Sequence, residues 1–174
     1  MSHLFLGIGS NTSPEHYVRQ ALDALQARLG ALEISSVYES EAVGFDGTNF
    51  LNLVVAADCN LPLDELSRWL KQLEADNGRR RDTPKFSPRT LDVDILAYGD
   101  LTGMIHGIEL PRAEILTNAF VLQPLAEIAP EVEHPVLGRP YGELWGEYRS
   151  EQKLWPVPFV WRGRKISPRG QGGC

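Results

Sequence analysis

The sequence is short of several things, and each shortage excludes a class of protein. Its 174 residues contain two cysteines, Cys59 inside an apolar run and Cys174 at the very end. They are too few and too badly placed for a disulfide framework or a thiolate metal site, and a reducing compartment fits that usage. No apolar stretch approaches the ~20 residues needed to span a bilayer. The N-terminus also lacks a basic segment leading into an apolar one. A soluble, cytoplasmic protein with no membrane partner is therefore expected. Positive charge is in deficit: 17 Lys and Arg stand against 23 Asp and Glu, a net −6. That balance argues against general nucleic-acid affinity. There is no internal repeat and no Walker-type glycine loop, and His3, His16, His106 and His134 form no ligand-spaced cluster. At this length, with 43% hydrophobic and 23% charged residues, a single domain with one sizeable core is expected. The oligomeric state stays open.

What is present is a clear alternation of strand and helix patterns. Leu4 to Gly9 is an apolar run closed by Ser10 and Asn11, the pattern of a buried strand ending in a turn. Ser13 and Pro14 open a helix whose apolar positions are Val18, Ala21, Leu22, Leu25 and Leu29, with Gly30 just past its end. Residues 32–38 and 50–58 read as strands able to pair across the Gly-containing loop 39–49. A second helix begins near Pro62 and Leu63, carries Leu66, Trp69, Leu70 and Leu73 on one stripe, and stops at Gly78. A strand over Thr90 to Tyr98 follows. This order predicts an α+β fold, a ferredoxin-like βαββαβ antiparallel sheet with helices on one face. An irregular C-terminal extension follows, with an apolar segment Phe120–Ile128 and a short helix over Tyr141–Tyr148. Residues 1–160 are read as one domain. Residues 161–174 are read as a basic, Gly-containing, disordered tail, because from Arg149 onward six basic residues face one acidic one.

The unusual chemistry lies between Glu74 and Asp94. On a strand, side chains alternate faces, so Leu91, Val93 and Ile95 enter the core while Asp92 and Asp94 share the other face, about 6 to 7 Å apart. Paired carboxylates at that spacing repel one another unless a cation lies between them. Oxygen-only ligands suit Mg²⁺, which fills its shell with water and phosphate oxygens. Just before this strand, residues 79–89 carry Arg79, Arg80, Arg81, Lys85 and Arg89 among turn-forming residues, a basic loop in an acidic protein. Guanidinium groups beside a metal-binding carboxylate pair are what phosphoryl transfer requires. Taken singly, the pair also fits a solvated strand face and the loop a solvated surface.

The stretch Pro88-Arg89-Thr90-Leu91-Asp92-Val93-Asp94-Ile95-Leu96 resembles the signature of the 6-hydroxymethyl-7,8-dihydropterin pyrophosphokinase family, whose members move the terminal diphosphate of ATP onto a pterin hydroxymethyl group. The likeness runs colinearly over about residues 4 to 135. It includes Leu6-Gly7-Ile8-Gly9-Ser10-Asn11, Phe50-Leu51-Asn52, Gly78-Arg79 and Ala119-Phe120-Val121-Leu122. The resemblance implies that Asp92 and Asp94 hold two Mg²⁺ ions with ATP, and that Arg79 and Arg89 act on the transferring phosphates. It places Glu74 and Arg81 on the nucleotide side, where Lys85 stands in place of a common arginine and Arg112 could replace a positive charge lost nearby. Val43, Gly44, Asn52 and the stacking pair Phe86 and Phe120 fall on the pterin side. The chain departs from the family pattern at Gly107, Glu109, Arg112 and Asn118, which motivates one alternative: a pterin-binding paralogue without efficient kinase activity. A ferredoxin-like RNA-binding module using the basic loop is a second alternative, opposed by the acidic balance.

Overall fold

The computed structural model describes residues 2–40, 49–78, 91–150 and 152–169. Strand β1 (Ser2–Ser10) leads to helix α1 (Pro14–Leu29), the short strands β2 (Glu33–Ile34) and β3 (Val37–Ser40), the long strand β4 (Phe50–Cys59), helix α2 (Leu63–Asp76) and strand β5 (Asp92–Tyr98). A hairpin of β6 (Gly103–Ile105) and β7 (Ile108–Leu110) follows, then a 3-10 turn at Ala113–Leu116, helix α3 (Ala119–Ile128) and helix α4 (Tyr141–Glu147). Strands β8 (Leu154–Val157), β9 (Phe159–Trp161) and β10 (Arg164–Ser167) end the chain.

The main sheet has the order β5-β1-β4-β3-β8, with β2 also beside β4. Its pairings are antiparallel, so the expected βαββαβ arrangement is present. Helices α1 and α2 bury Val18, Ala21, Leu22, Leu25, Leu66 and Leu70 against Leu4, Leu6, Ile8, Val93 and Ile95, which forms the larger core cluster. The other sheet face is also covered, by elements outside that motif. Phe5, Val54, Ala56 and Leu96 pack with Leu122, Leu125 and Tyr141 of α3 and α4. The segment Phe120–Ile128, expected to be irregular, is thus a helix, and its mostly apolar composition follows from its burial.

Two other expectations change. The single strand expected over 32–38 is two strands, because Ser35 and Ser36 interrupt it: Ser35 Oγ accepts the Val54 amide at 2.9 Å and donates to the Ser36 carbonyl at 2.7 Å. The tail expected to be disordered from residue 161 is an ordered hairpin as far as Arg169. Trp161 is buried and its indole donates to Asp23 Oδ1 at 2.9 Å. Ser167 is fully buried and takes the Val37 amide at 2.9 Å. Residues 170–174 lie outside the described chain. No helix among the described residues is long and apolar enough to cross a membrane.

Candidate active site on the glycine side of the sheet

The site begins with the register of three strands. Gly9 of β1 pairs with Asn52 of β4 on one side and Asp92 of β5 on the other. Gly7 pairs likewise with Val54 and Asp94. Directly paired residues project to the same face, so Asn52, Asp92 and Asp94 all rise from the α3 side of the sheet. The carboxylate pair therefore shares one face, with Val93 and Ile95 buried on the other. Both aspartates are half-buried.

Between Asn52 and Asp92 the central strand contributes only Gly9, which leaves a trough in the sheet surface. The glycine also admits a close approach: a Cβ at residue 9 would stand 3.0 Å from Asn52 Oδ1. Asn52 is 9% exposed, and its amide nitrogen donates to Ser40 Oγ at 2.9 Å. Among the described residues its Oδ1 accepts no hydrogen bond. A buried acceptor without a partner costs about 1 to 3 kcal/mol, so this oxygen has capacity for one more donor. Phe120 stands at the start of α3, half-buried, where that helix packs over this face.

A groove of about 410 Å³ runs along the outer edge of β5, between α2 and the β6–β7 hairpin. Leu70, Ile95, Met104 and Ile108 give it apolar walls, and Lys71, Glu74, Asp94, His106, Glu109 and Arg112 give it charge. Glu74 Oε2 accepts the Val93 amide at 2.8 Å, which pins the edge strand between the two aspartates. Arg112 is tied to β5 through its backbone, which donates to the Leu96 carbonyl at 2.8 Å. Its guanidinium grips Glu114 at 2.6 and 2.8 Å. Burial works against this charge, but Asp94, Glu114 and Glu109 outweigh it, and the Arg112 pKa stands above its ordinary value.

Of the residues singled out from the sequence, Asn52, Asp92, Asp94 and Phe120 belong to the trough face, while Glu74 and Arg112 line the groove that also reaches Asp94. Val43, Gly44, Arg79, Arg81, Lys85, Phe86 and Arg89 lie outside the described residues. Sequence reasoning missed Gly9 as a site residue, although Gly7-Ile8-Gly9 within an apolar strand was the available signal. It also gave no part to Lys71 or His106. Their signal appears only when the hairpin folds back beside α2. Among the described residues there is no group of three His, Cys, Asp or Glu side chains for a metal. A pair of carboxylates is nevertheless the donor set that Mg²⁺ takes from a protein when phosphate oxygens complete its shell.

The residues thus build an antiparallel sheet with a carboxylate pair facing an amide across Gly9. Comparison with known proteins shows which family shares this arrangement. The family described as 7,8-dihydro-6-hydroxymethylpterin-pyrophosphokinase (HPPK) matches residues 5–130, and the chain belongs to it. Relatives named 2-amino-4-hydroxy-6-hydroxymethyldihydropteridine pyrophosphokinase include one from Aquifex aeolicus, 35% identical over 158 residues, covering 90% of this chain and 96% of the relative. Another, from Pseudomonas aeruginosa, is 37% identical over 142 residues, covering 78% of this chain and 85% of the relative. Among solved structures, a Plasmodium falciparum HPPK-DHPS with pterin and p-hydroxybenzoate superposes with a TM-score of 0.65 at 15% identity, over 84% of this chain and 43% of that one. The present chain thus spans less than half of that protein, and the likeness is one of fold.

Proposed function

We propose that the chain transfers diphosphate from ATP to 6-hydroxymethyl-7,8-dihydropterin with Mg²⁺, a step of folate biosynthesis. The observation that carries this is the row Asn52–Gly9–Asp92, which sets a buried acceptor, unpartnered among the described residues, and a carboxylate on either side of a glycine in the central strand. A reduced pterin offers ring N–H donors to Asn52 Oδ1, and its flat ring suits a gap under Phe120, where stacking adds about 0.5 to 1.5 kcal/mol. Asp92 and Asp94 would hold the Mg²⁺, whose charge would neutralise the phosphate oxygens.

In this reading the pterin hydroxyl oxygen bonds to the β-phosphorus and loses its proton to solvent, the bond from that phosphorus to the oxygen bridging it to the α-phosphorus breaks, and AMP leaves with that oxygen. The chain needs no covalent nucleophile for this. Its contribution is positioning and charge: Glu74 holds β5 in place, the groove takes the nucleotide, and Arg112 balances Asp94. The family names of the Aquifex and Pseudomonas relatives support the same activity. Oxygen-only, half-exposed carboxylates and the absence of a membrane-length helix among the described residues are compatible with a cytoplasmic enzyme acting on small molecules.

The test is AMP release from ATP in the presence of the hydroxymethyl-dihydropterin and Mg²⁺. AMP formed in step with pterin diphosphate is the expected result. Pterin binding without AMP release would replace this reading with that of a pterin-binding paralogue.

A further inference from the structure

Tyr38 is a buried phenol, 5% exposed, for which neither the trough nor the groove has an obvious use. It is paired in register with Asn52, one strand further from Gly9. Glu127 and Gln123 of α3 lie beside its hydroxyl, the carboxylate acting to raise its pKa and the amide to lower it. Burial and then the Glu127 carboxylate raise its pKa, so it stays a neutral donor. Glu127 is held on both oxygens: Oε1 accepts the Ser36 amide at 2.6 Å and Oε2 the Ser36 hydroxyl at 2.8 Å. Ser36 Oγ in turn accepts the backbone amide of Arg169 at 2.7 Å. The Arg169 guanidinium donates to the Ile34 carbonyl at 2.7 Å, and Ser167 Oγ donates to Val157 at 2.5 Å. A chain of directional bonds therefore runs from the C-terminal segment through Ser36 to Glu127, beside the Tyr38 hydroxyl.

Phe120, Gln123 and Glu127 stand at i, i+3 and i+7 on α3, which places them along one side of the helix. Glu127 is gripped by this network, and Phe120, at the other end of that side, packs against the core cluster of the same sheet face. Apolar packing tolerates small slides and rotations of a helix, whereas partly buried hydrogen bonds to a carboxylate fix it in angle as well as distance. We infer that Tyr38, Ser36 and Glu127, closed off by the Arg169 amide, are positioning residues that set the rotation of α3 over β3 and β4 and hence the gap between Phe120 and Asn52. The C-terminal segment, which lies beyond the residues matched by the family, is thereby coupled to the pterin wall. This inference rests on the function proposed above.

The test uses full-length protein and two substitutions that remove one donor each. Tyr38→Phe keeps the ring and deletes the hydroxyl, and Arg169→Pro deletes the amide hydrogen. Pterin affinity is read by fluorescence titration, alongside KM for each substrate and kcat. Each variant is expected to raise the pterin Kd and KM about tenfold, with the nucleotide KM and kcat changing by less than about twofold. Leu22→Val, on the opposite sheet face, is the stability control and is expected to lower Tm without moving either KM. Wild-type binding together with an unchanged pterin Kd in both donor variants would overturn the inference alone, as would equal rises in both KM values. A wild-type protein that binds no pterin would overturn the functional reading and this inference together.

Discussion

Strand β1 has two sides that do different work. Leu4, Leu6 and Ile8 point into the α1–α2 layer and are at most 2% exposed. Phe5, Gly7 and Gly9 face the α3 layer, where side-chain bulk falls away along the strand toward Asn52 and the aspartates. One side is filled as tightly as any core, and each buried leucine there contributes about 1.5 to 3 kcal/mol. The other is packed at the Phe5 end and cleared at the Gly9 end. The difference teaches that the tight core and the candidate site are divided between the two faces of one strand, with residue parity along the strand as the dividing rule.

The sharpest break of this division is Asp94→Ala, which removes a carboxylate from the cleared face. Metal-dependent turnover is expected to fall at least about a hundredfold while the Tm stays close to wild type, since Asp94 is half-buried and outside both core clusters. Full activity in that variant would end the metal assignment. On the filled face, Leu22→Ala should cost about 2 to 5 kcal/mol of stability, measured by denaturant unfolding, and leave pterin KM unchanged. Gly9→Ala is expected to push a methyl group against Asn52 Oδ1 and raise pterin KM about tenfold with a small loss of Tm. If Leu22→Ala shifts pterin KM and Gly9→Ala does not, the division is reversed.

The smallest effect concerns pH and separates the α3–α4 layer from the rest. Burial holds the His134 pKa below its ordinary value of 6.5, and Nδ1 accepts the amides of Val136 and Leu137, both at 3.2 Å. The unfolded chain thus takes up this proton before the folded one does. The neutral ring's contribution to stability is complete above about pH 6.5 and declines as pH falls toward the lower folded value. Tm should drop by a few degrees between about pH 7 and pH 5. In His134→Asn, which keeps an acceptor but does not titrate there, that part of the decline should vanish.

Much of this arrangement was legible in the sequence because it rests on local periodicity. The stripe Val18-Ala21-Leu22-Leu25 and the alternation Asp92-Val93-Asp94-Ile95 each report a face directly, and both faces fall where the pattern put them. The family signature located the candidate site around the same aspartates. What the sequence did not disclose depends on partners far along the chain. Trp161 and Ser167 look like tail residues until they meet Asp23 and Val37, 138 and 130 positions away. Ser35 and Ser36 look compatible with a continuous strand until Val54 and Glu127 claim them. Gly9 reads as an ordinary strand glycine until β4 and β5 flank it, and His106 reads as a lone histidine until its hairpin closes one wall of the groove.

The most direct test is to locate a divalent cation crystallographically, with Mn²⁺ in place of Mg²⁺ and with a non-hydrolysable ATP analogue and the pterin bound. The predicted result is anomalous scattering between the Asp92 and Asp94 carboxylates, with the pterin ring over Gly9 and its N–H toward Asn52 Oδ1. Manganese bound away from both aspartates, or a pterin seated elsewhere than on the glycine side of β1, would contradict the account.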